Sequence, residues 1–224
     1  DITLNNWESF DFSGMIFGDN DNVMLTINGD SLISILTGVI KDLNIQGSVT
    51  GGAFVAKMIG GDTINISNDT YLKPTVENVN IDVIYNGTNY VPSSVSGSYD
   101  FNGNTYAGAI AGINAGNIVD CKVYGVNMNT AEALYVGGVA GYSFGLISGS
   151  GVEFYNFADG VNTFAGGTVG GLVGYFGADN ASSTIRDSYV YAFNLNSGIG
   201  SSMVDRYRNN ISANTAFYPI SGTI

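Results

Sequence analysis

The chain has 224 residues, long enough for one large all-β domain with a substantial core. Only 12% of its residues are charged, and 7 Lys/Arg against 19 Asp/Glu leave a net charge of −12; that excludes the basic stripe nucleic acid requires and disfavours anionic membranes. It has no His and a single cysteine, Cys121, which removes imidazole-dependent triads, internal disulfides and cysteine zinc sites.

Hydrophobic residues reach 45%, with 14 Tyr and 12 Phe, and 32 Gly stand against 3 Pro. This is the composition of a folded chain that places glycine at turns, not of a disordered one. No apolar run approaches the roughly 18 residues needed to cross a bilayer, so membrane insertion is not expected. The opening Asp1-Ile2-Thr3-Leu4 shows no leader, which suits a processed secreted chain and equally a segment cut from a longer one. Low Lys, abundant Gly, Asn, Ser and Tyr, and acidity together point to an extracellular, cell-surface protein.

In chain order, Asp19-Asn20-Asp21-Asn22 comes first, with the alternating oxygen ligands that calcium favours. Met24 stands where the complete loop needs Gly, so a β-turn is the preferred reading. Surface calcium stays open elsewhere in so acidic a chain, and no cofactor is expected. From Ile40 a pattern recurs: Ile40-Asp42-Leu43-Ile45, Val76-Asn78-Val79-Ile81, Ile118-Asp120-Cys121-Val123, Ile147-Gly149-Ser150-Val152 and Ile185-Asp187-Ser188-Val190. Strict strand alternation would put inward residues two apart. Here the first step is three, and an Asp, Asn or Gly fills the gap, as a left-handed or bulged corner between two short strands requires.

Ahead of these copies run glycine-rich segments: Tyr106-Ala-Gly-Ala-Ile-Ala-Gly112, Tyr135-Val-Gly-Gly-Val-Ala-Gly-Tyr142, Thr168-Val-Gly-Gly-Leu-Val-Gly-Tyr175, and a degenerate Thr50-Gly-Gly-Ala-Phe-Val-Ala56. Copies of the corner pattern lie 36, 42, 29 and 38 residues apart, so loops of unequal length must leave the repeat. Residues 62–75 and 84–105 are the expected excursions. Asp205-Arg-Tyr-Arg-Asn209 is a weak helical candidate, and 213–224 reads as a final strand pair broken by Pro219. The expected organisation is a single domain over 1–224, with repeats in 10–192 and a tail in 193–224, folded as a parallel β-helix (β-solenoid) filled by stacked Ile, Val, Leu and small residues.

Gly171-Leu172-Val173-Gly174, with its variants Gly138-Val139-Ala140-Gly141 and Gly108-Ala109-Ile110-Ala111-Gly112, resembles the core of the GLUG-repeat family of surface proteins. Phe12-Ser13-Gly14, Phe17 to Asn22 with Leu25-Thr26-Ile27, and then Ile40 to Gly47 are similar to that family's lead-in. The resemblance spans roughly residues 10–192. It implies a right-handed parallel β-helix of adhesin type, and no catalytic residue belongs to the repeat itself.

Asp42, Asp120 and Asp187 are aligned by the repeat, as paired carboxylates of a glycan-cleaving enzyme would be. Their equivalents Asn78 and Gly149 instead give the chemistry of a turn. Cys121 falls in an inward column and is expected to be a buried, inert thiol. Sequons occur at Asn65, Asn68, Asn86, Asn180 and Asn210, about as many as this much Asn, Ser and Thr gives by chance. Tyr106, Tyr135, Tyr142, Tyr175, Tyr189 and Tyr191 recur near strand ends as candidates for contact with glycans or neighbouring subunits, or as a ladder that covers the flank.

The leading expectation is a non-enzymatic surface structural protein, a subunit of a filament, sheath or appendage. Its partners would be copies of itself or other surface proteins. Neither terminus shows a capping helix, and a non-closing contact between copies propagates. The alternatives are a carbohydrate- or host-binding adhesin module and, less favoured, a polysaccharide-cleaving β-helix.

Overall fold

Short apolar-polar alternations interrupted by Gly, Asn or Asp make strands that bury one face and then turn. The computed structural model describes residues 1–18, 23–60, 73–130, 132–154, 156–157, 160–161, 164–165, 168–177, 183–193, 204–206 and 216–220. Over these residues the chain is all-β, without helix, and its strands pair mostly in parallel. Sheets of 15, 7 and 4 strands carry the fold, and two small antiparallel hairpins stand beside them.

The recurring pattern is the spine of the largest sheet. Ile16, Ile40, Val76, Ile118, Ile147 and Ile185 are successive parallel partners. So are Leu25, Ile45, Ile81, Val123, Val152 and Val190. Between these columns Leu43, Val79, Cys121, Ser150 and Ser188 are all buried. The five copies therefore stack in register, and Ile16 adds a level that the pattern did not mark. Each fully buried Ile, Val or Leu contributes about 1.5–3 kcal/mol, so the columns form the principal source of stability.

The three-residue step has the cause its chemistry implies. Asp42, Asn78, Asp120, Gly149 and Asp187 have φ of 57°, 50°, 52°, 61° and 51°. This left-handed conformation costs most L-residues about 1–2 kcal/mol, and Gly, Asn and Asp tolerate it best. The corner residues also bond along the stack: Asn78 Nδ2 donates to Asp42 Oδ1 at 2.7 Å. Inside the corner, Ser150 Oγ accepts from Cys121 N at 3.2 Å and donates to Ser148 O at 3.0 Å. Ser188 Oγ accepts from Ser150 N at 3.3 Å.

The glycine-rich segments fold back on themselves. Asn104–Gly108, Tyr135–Gly137 and Thr168–Gly170 pair in one sheet. Ala111–Asn114, Ala140–Ser143 and Val173–Phe176 pair in another, and Ala56 is in register with Ala111, which places the degenerate copy. The bend between the two sheets buries Ile110, Val139 and Leu172. A Cβ on Gly137 would lie 2.0 Å from Ala140 O, and one on Gly141 would lie 2.6 Å from Ala107 N. Backbone meets backbone there, so the glycines are required by close approach.

The expected excursion 84–105 resolves into two hairpins separated by a return to the ladder. Ile84–Tyr85 pairs with Tyr90–Val91, Ser93–Val95 rejoins the largest sheet, and Tyr99–Phe101 pairs with Asn104–Gly108. Most of the other excursion lies outside the described residues. Two readings are corrected. Val204–Arg206, which overlaps the weak helical candidate at Asp205 and Arg206, is a strand against Val173–Phe176, because ladder pairing overrides a weak local preference; the rest of that candidate lies outside the described residues. Pro219 does not break the tail strand: Ala216–Ile220 runs unbroken and parallel to Tyr189–Phe193, with Pro219 opposite Ala192. A strand at a sheet edge tolerates the missing N–H of proline; the rest of the tail lies outside the described residues.

Candidate functional site

The outer face of the seven-stranded sheet carries the column Ile35, Met58, Ile113, Tyr142, Tyr175. Met58 and Ile113 are fully buried there, because Tyr99, Phe101 and Tyr106 pack over them as a second, smaller core. Tyr106 and Tyr135 are in register in the neighbouring four-stranded sheet. The four tyrosines close a circuit, with ring centroids at 5.6 Å (106–135), 5.1 Å (135–175), 5.1 Å (175–142) and 5.5 Å (142–106). Their planes lie within 16–33° of one another, so the rings spend their faces on each other. Tyr106 is buried and the other three half-buried. Burial, and then the neighbouring Tyr135, push the Tyr106 phenol above its ordinary pKa.

The remaining two candidate tyrosines stand apart on the largest sheet. Tyr189 lies over Gly151, its register partner, where a Cβ would come within 2.2 Å of the ring. Its hydroxyl donates to Glu153 Oε1 at 3.0 Å, and Tyr191 packs against it at 5.0 Å. Burial, followed by the Glu153 carboxylate, raises the Tyr189 phenol well above its usual range.

Two exposed tyrosines were not singled out by the repeat. Tyr85 and Tyr90 face each other across the first hairpin with centroids at 5.1 Å, and each is 58% exposed. The signal was legible as Tyr85-Asn86-Gly87-Thr88-Asn89-Tyr90, an Asn-Gly turn flanked by aromatics. Beside this hairpin the largest sheet presents uncharged side chains bonded in pairs: Asn28 to Asn5 at 2.9 Å, Gln46 to Thr26 at 3.1 Å and Ser94 to Ser48 at 2.8 Å.

Of the sequons, only Asn86 lies among the described residues, exposed at the hairpin tip; Asn65, Asn68, Asn180 and Asn210 lie outside them. Asp19 to Asn22 lies outside as well, and among the described residues no three Asp, Glu or Cys side chains converge as a metal site. Cys121 is fully buried, and burial pushes its thiol up to about 12. Asp120 and Asp187 are exposed on the left-handed corner.

One ionic cluster is built into the fold. Lys57 Nζ lies 2.6 Å from Asp30 Oδ2, Ser9 Oγ donates to the same oxygen at 2.7 Å, and Ser31 N donates to Asp30 Oδ1 at 2.8 Å. Burial alone would raise the Asp30 carboxyl; the bonds from Lys57, Ser9 and Ser31 outweigh it and hold the group below its ordinary value. Trp7 Nε1 donates to Ser31 O and Leu32 O at 3.1 and 3.0 Å. The cluster thus ties Ser9, the strand Ala56–Ile59 and the bend at Asp30 together. No protein family, curated protein or solved structure matches the chain.

Proposed function

We propose that the chain is a non-enzymatic structural protein of the extracellular cell surface, a right-handed parallel β-helix that assembles with copies of itself into a filament, sheath or appendage. The observation that carries this reading is the in-register stack of parallel strands with one corner geometry used five times. A stack of this kind extends by addition of like units. The near-universal right-handedness of parallel crossover connections supports the right hand. The residues that could have served a glycan-cleaving mechanism, Asp42, Asp120 and Asp187, have a sufficient structural role in the corner. The resemblance of the glycine-rich segments to the GLUG repeat supports the same surface role.

The outermost level of the stack, strands Ile2–Trp7, Phe10–Phe12 and Met15–Phe17, leaves Ile2, Phe10, Met15 and Phe17 about half exposed. Strand edges with apolar residues of this kind take up further strands, and we assign those strands to a neighbouring copy. Light scattering and negative-stain microscopy of the purified chain test the assignment. Fibres or sheets of defined width that dissolve in a Phe10→Asp/Phe17→Asp variant are expected. Monomers at every concentration would overturn it, as would a longer form of the polypeptide whose added residues occupy that surface.

A further inference from the structure

We propose that the hairpin spanning residues 84–91, with the uncharged columns it rises from, binds a neutral polysaccharide. This site is distinct from the stack edge invoked for assembly.

The hairpin is a braced arm. At its tip, Asn86 Oδ1 accepts from Thr88 N at 3.1 Å and from Asn89 N at 2.9 Å, and Asn86 N donates to Asn89 O at 3.0 Å. At its root the chain leaves the ladder after Asp82 N, which donates to Ile45 O at 2.7 Å, and returns at Ser94, opposite Ser48. The buried Ser93 closes the root: its hydroxyl donates to Asp82 O at 2.5 Å and accepts from Gly47 N at 3.0 Å. Tyr85 and Tyr90 are therefore held in place, not trailing from a loose loop, yet each keeps more than half its surface in water.

An aromatic pair tilted by 44° does not hide its outer faces as the stacked Tyr106 quartet does. Rings of this kind offer rigid, amphipathic area at little conformational cost, suited to the C–H face of a sugar ring. The sugar's hydroxyls need neutral donors and acceptors nearby. The arm stands between two columns that supply them: Thr26 and Gln46 on one side, Asn28, Ser48 and Ser94 on the other. Neighbouring strands repeat at roughly 4.8 Å and same-face residues along a strand at roughly 6.6 Å, so the groups recur with a fixed period, as a polymer's do.

Charge selects the class of glycan. Within a chain of net charge −12 these columns carry neither the cations that would hold a uronate or sulfate nor carboxylates that a neutral sugar would have to displace. Asp82, at the root, is half-buried and turned to Val83 N at 3.2 Å.

Native electrophoresis through gels containing a soluble neutral β-glucan, a neutral galactomannan or anionic polygalacturonate tests the site. Retardation is expected in a neutral gel and not in polygalacturonate. A Tyr85→Ala/Tyr90→Ala variant, whose rings support no core and whose thermal unfolding should match the parent, should bind at least about tenfold more weakly, the equivalent of 1.4 kcal/mol. Asn28→Ala/Gln46→Ala should weaken retardation in the same gel. Absence of retardation in both neutral gels, undiminished retardation of the tyrosine variant, or preference for polygalacturonate would overturn the proposal. So would a tyrosine variant that retains retardation but loses self-association, which would make the pair a contact between copies. Loss of assembly in the Phe10/Phe17 variant is read separately, so either proposal can fail alone.

Discussion

Gly149 is the one glycine in the corner column, and it gives the sharpest test of the corner. An alanine there must adopt φ 61°, at a cost of about 1–2 kcal/mol, less about 0.5–1 kcal/mol regained because alanine loses less backbone freedom on folding. Its Cβ would also lie 2.0 Å from Asp120 Oδ1. Asp120 is exposed, so its carboxylate can swing aside, at an off-rotamer cost of about 0.5–1.5 kcal/mol. Gly149→Ala should therefore destabilise the fold by about 0.5–3 kcal/mol. In an Asp120→Gly background only the backbone contribution remains, so a double-mutant cycle should show coupling of about 0.5–1.5 kcal/mol. Gly149→Asn should cost less than Gly149→Ala, because asparagine tolerates this φ and can donate to Asp120 as Asn78 donates to Asp42 at 2.7 Å. Urea unfolding of the parent, both single variants, the double variant and the asparagine variant, at constant m-value, measures all of these. Strict additivity, or an alanine variant as stable as the parent, would refute the left-handed stacked corner.

Ser150→Ala leaves the buried Cys121 N–H without its acceptor and should cost about 1–3 kcal/mol in urea unfolding; an unchanged midpoint would show that the serine ladder does not carry the corner's polar groups. Cys121, fully buried with its thiol pushed up to about 12, should resist iodoacetamide at pH 8 in the native state and react only as the protein opens; native labelling at the rate of a free thiol would contradict its placement. Burial raises the Asp82 carboxyl above its ordinary value of 3.8. The folded state therefore holds that proton more tightly than the unfolded chain, and stability falls as pH rises through the raised value. Asp82→Asn should be more stable than the parent at pH 7, with the difference vanishing once pH drops below the ordinary carboxyl value; a gap independent of pH would exclude Asp82 as its source.

Much of this architecture is written locally. The Ile-x-Asp-Leu-x-Ile type of spacing specifies an inward residue, a left-handed corner and two more inward positions, because only Gly, Asn and Asp relax at that φ. Cys121 could be placed in the core from its column alone. The Asn86-Gly87 turn between tyrosines carried a hairpin signal inside what reads only as an excursion, and the close backbone approach behind the glycine-rich segments emerges only when the two sheets meet. Other features depend on which strands meet. Pro219 reads as a break until the strand is seen at a sheet edge, and Asp205-Arg206 favours helix only until a parallel partner takes its backbone groups. Tyr106, Tyr135, Tyr142 and Tyr175 look alike in the sequence; only the register of two sheets turns them into a ring circuit with their faces consumed, while Tyr85 and Tyr90 keep theirs in water. Backbone dihedral preference and burial act within a few residues and are legible there. Ring contacts and sheet edges are set by residues tens of positions apart, and these only the tertiary structure decides.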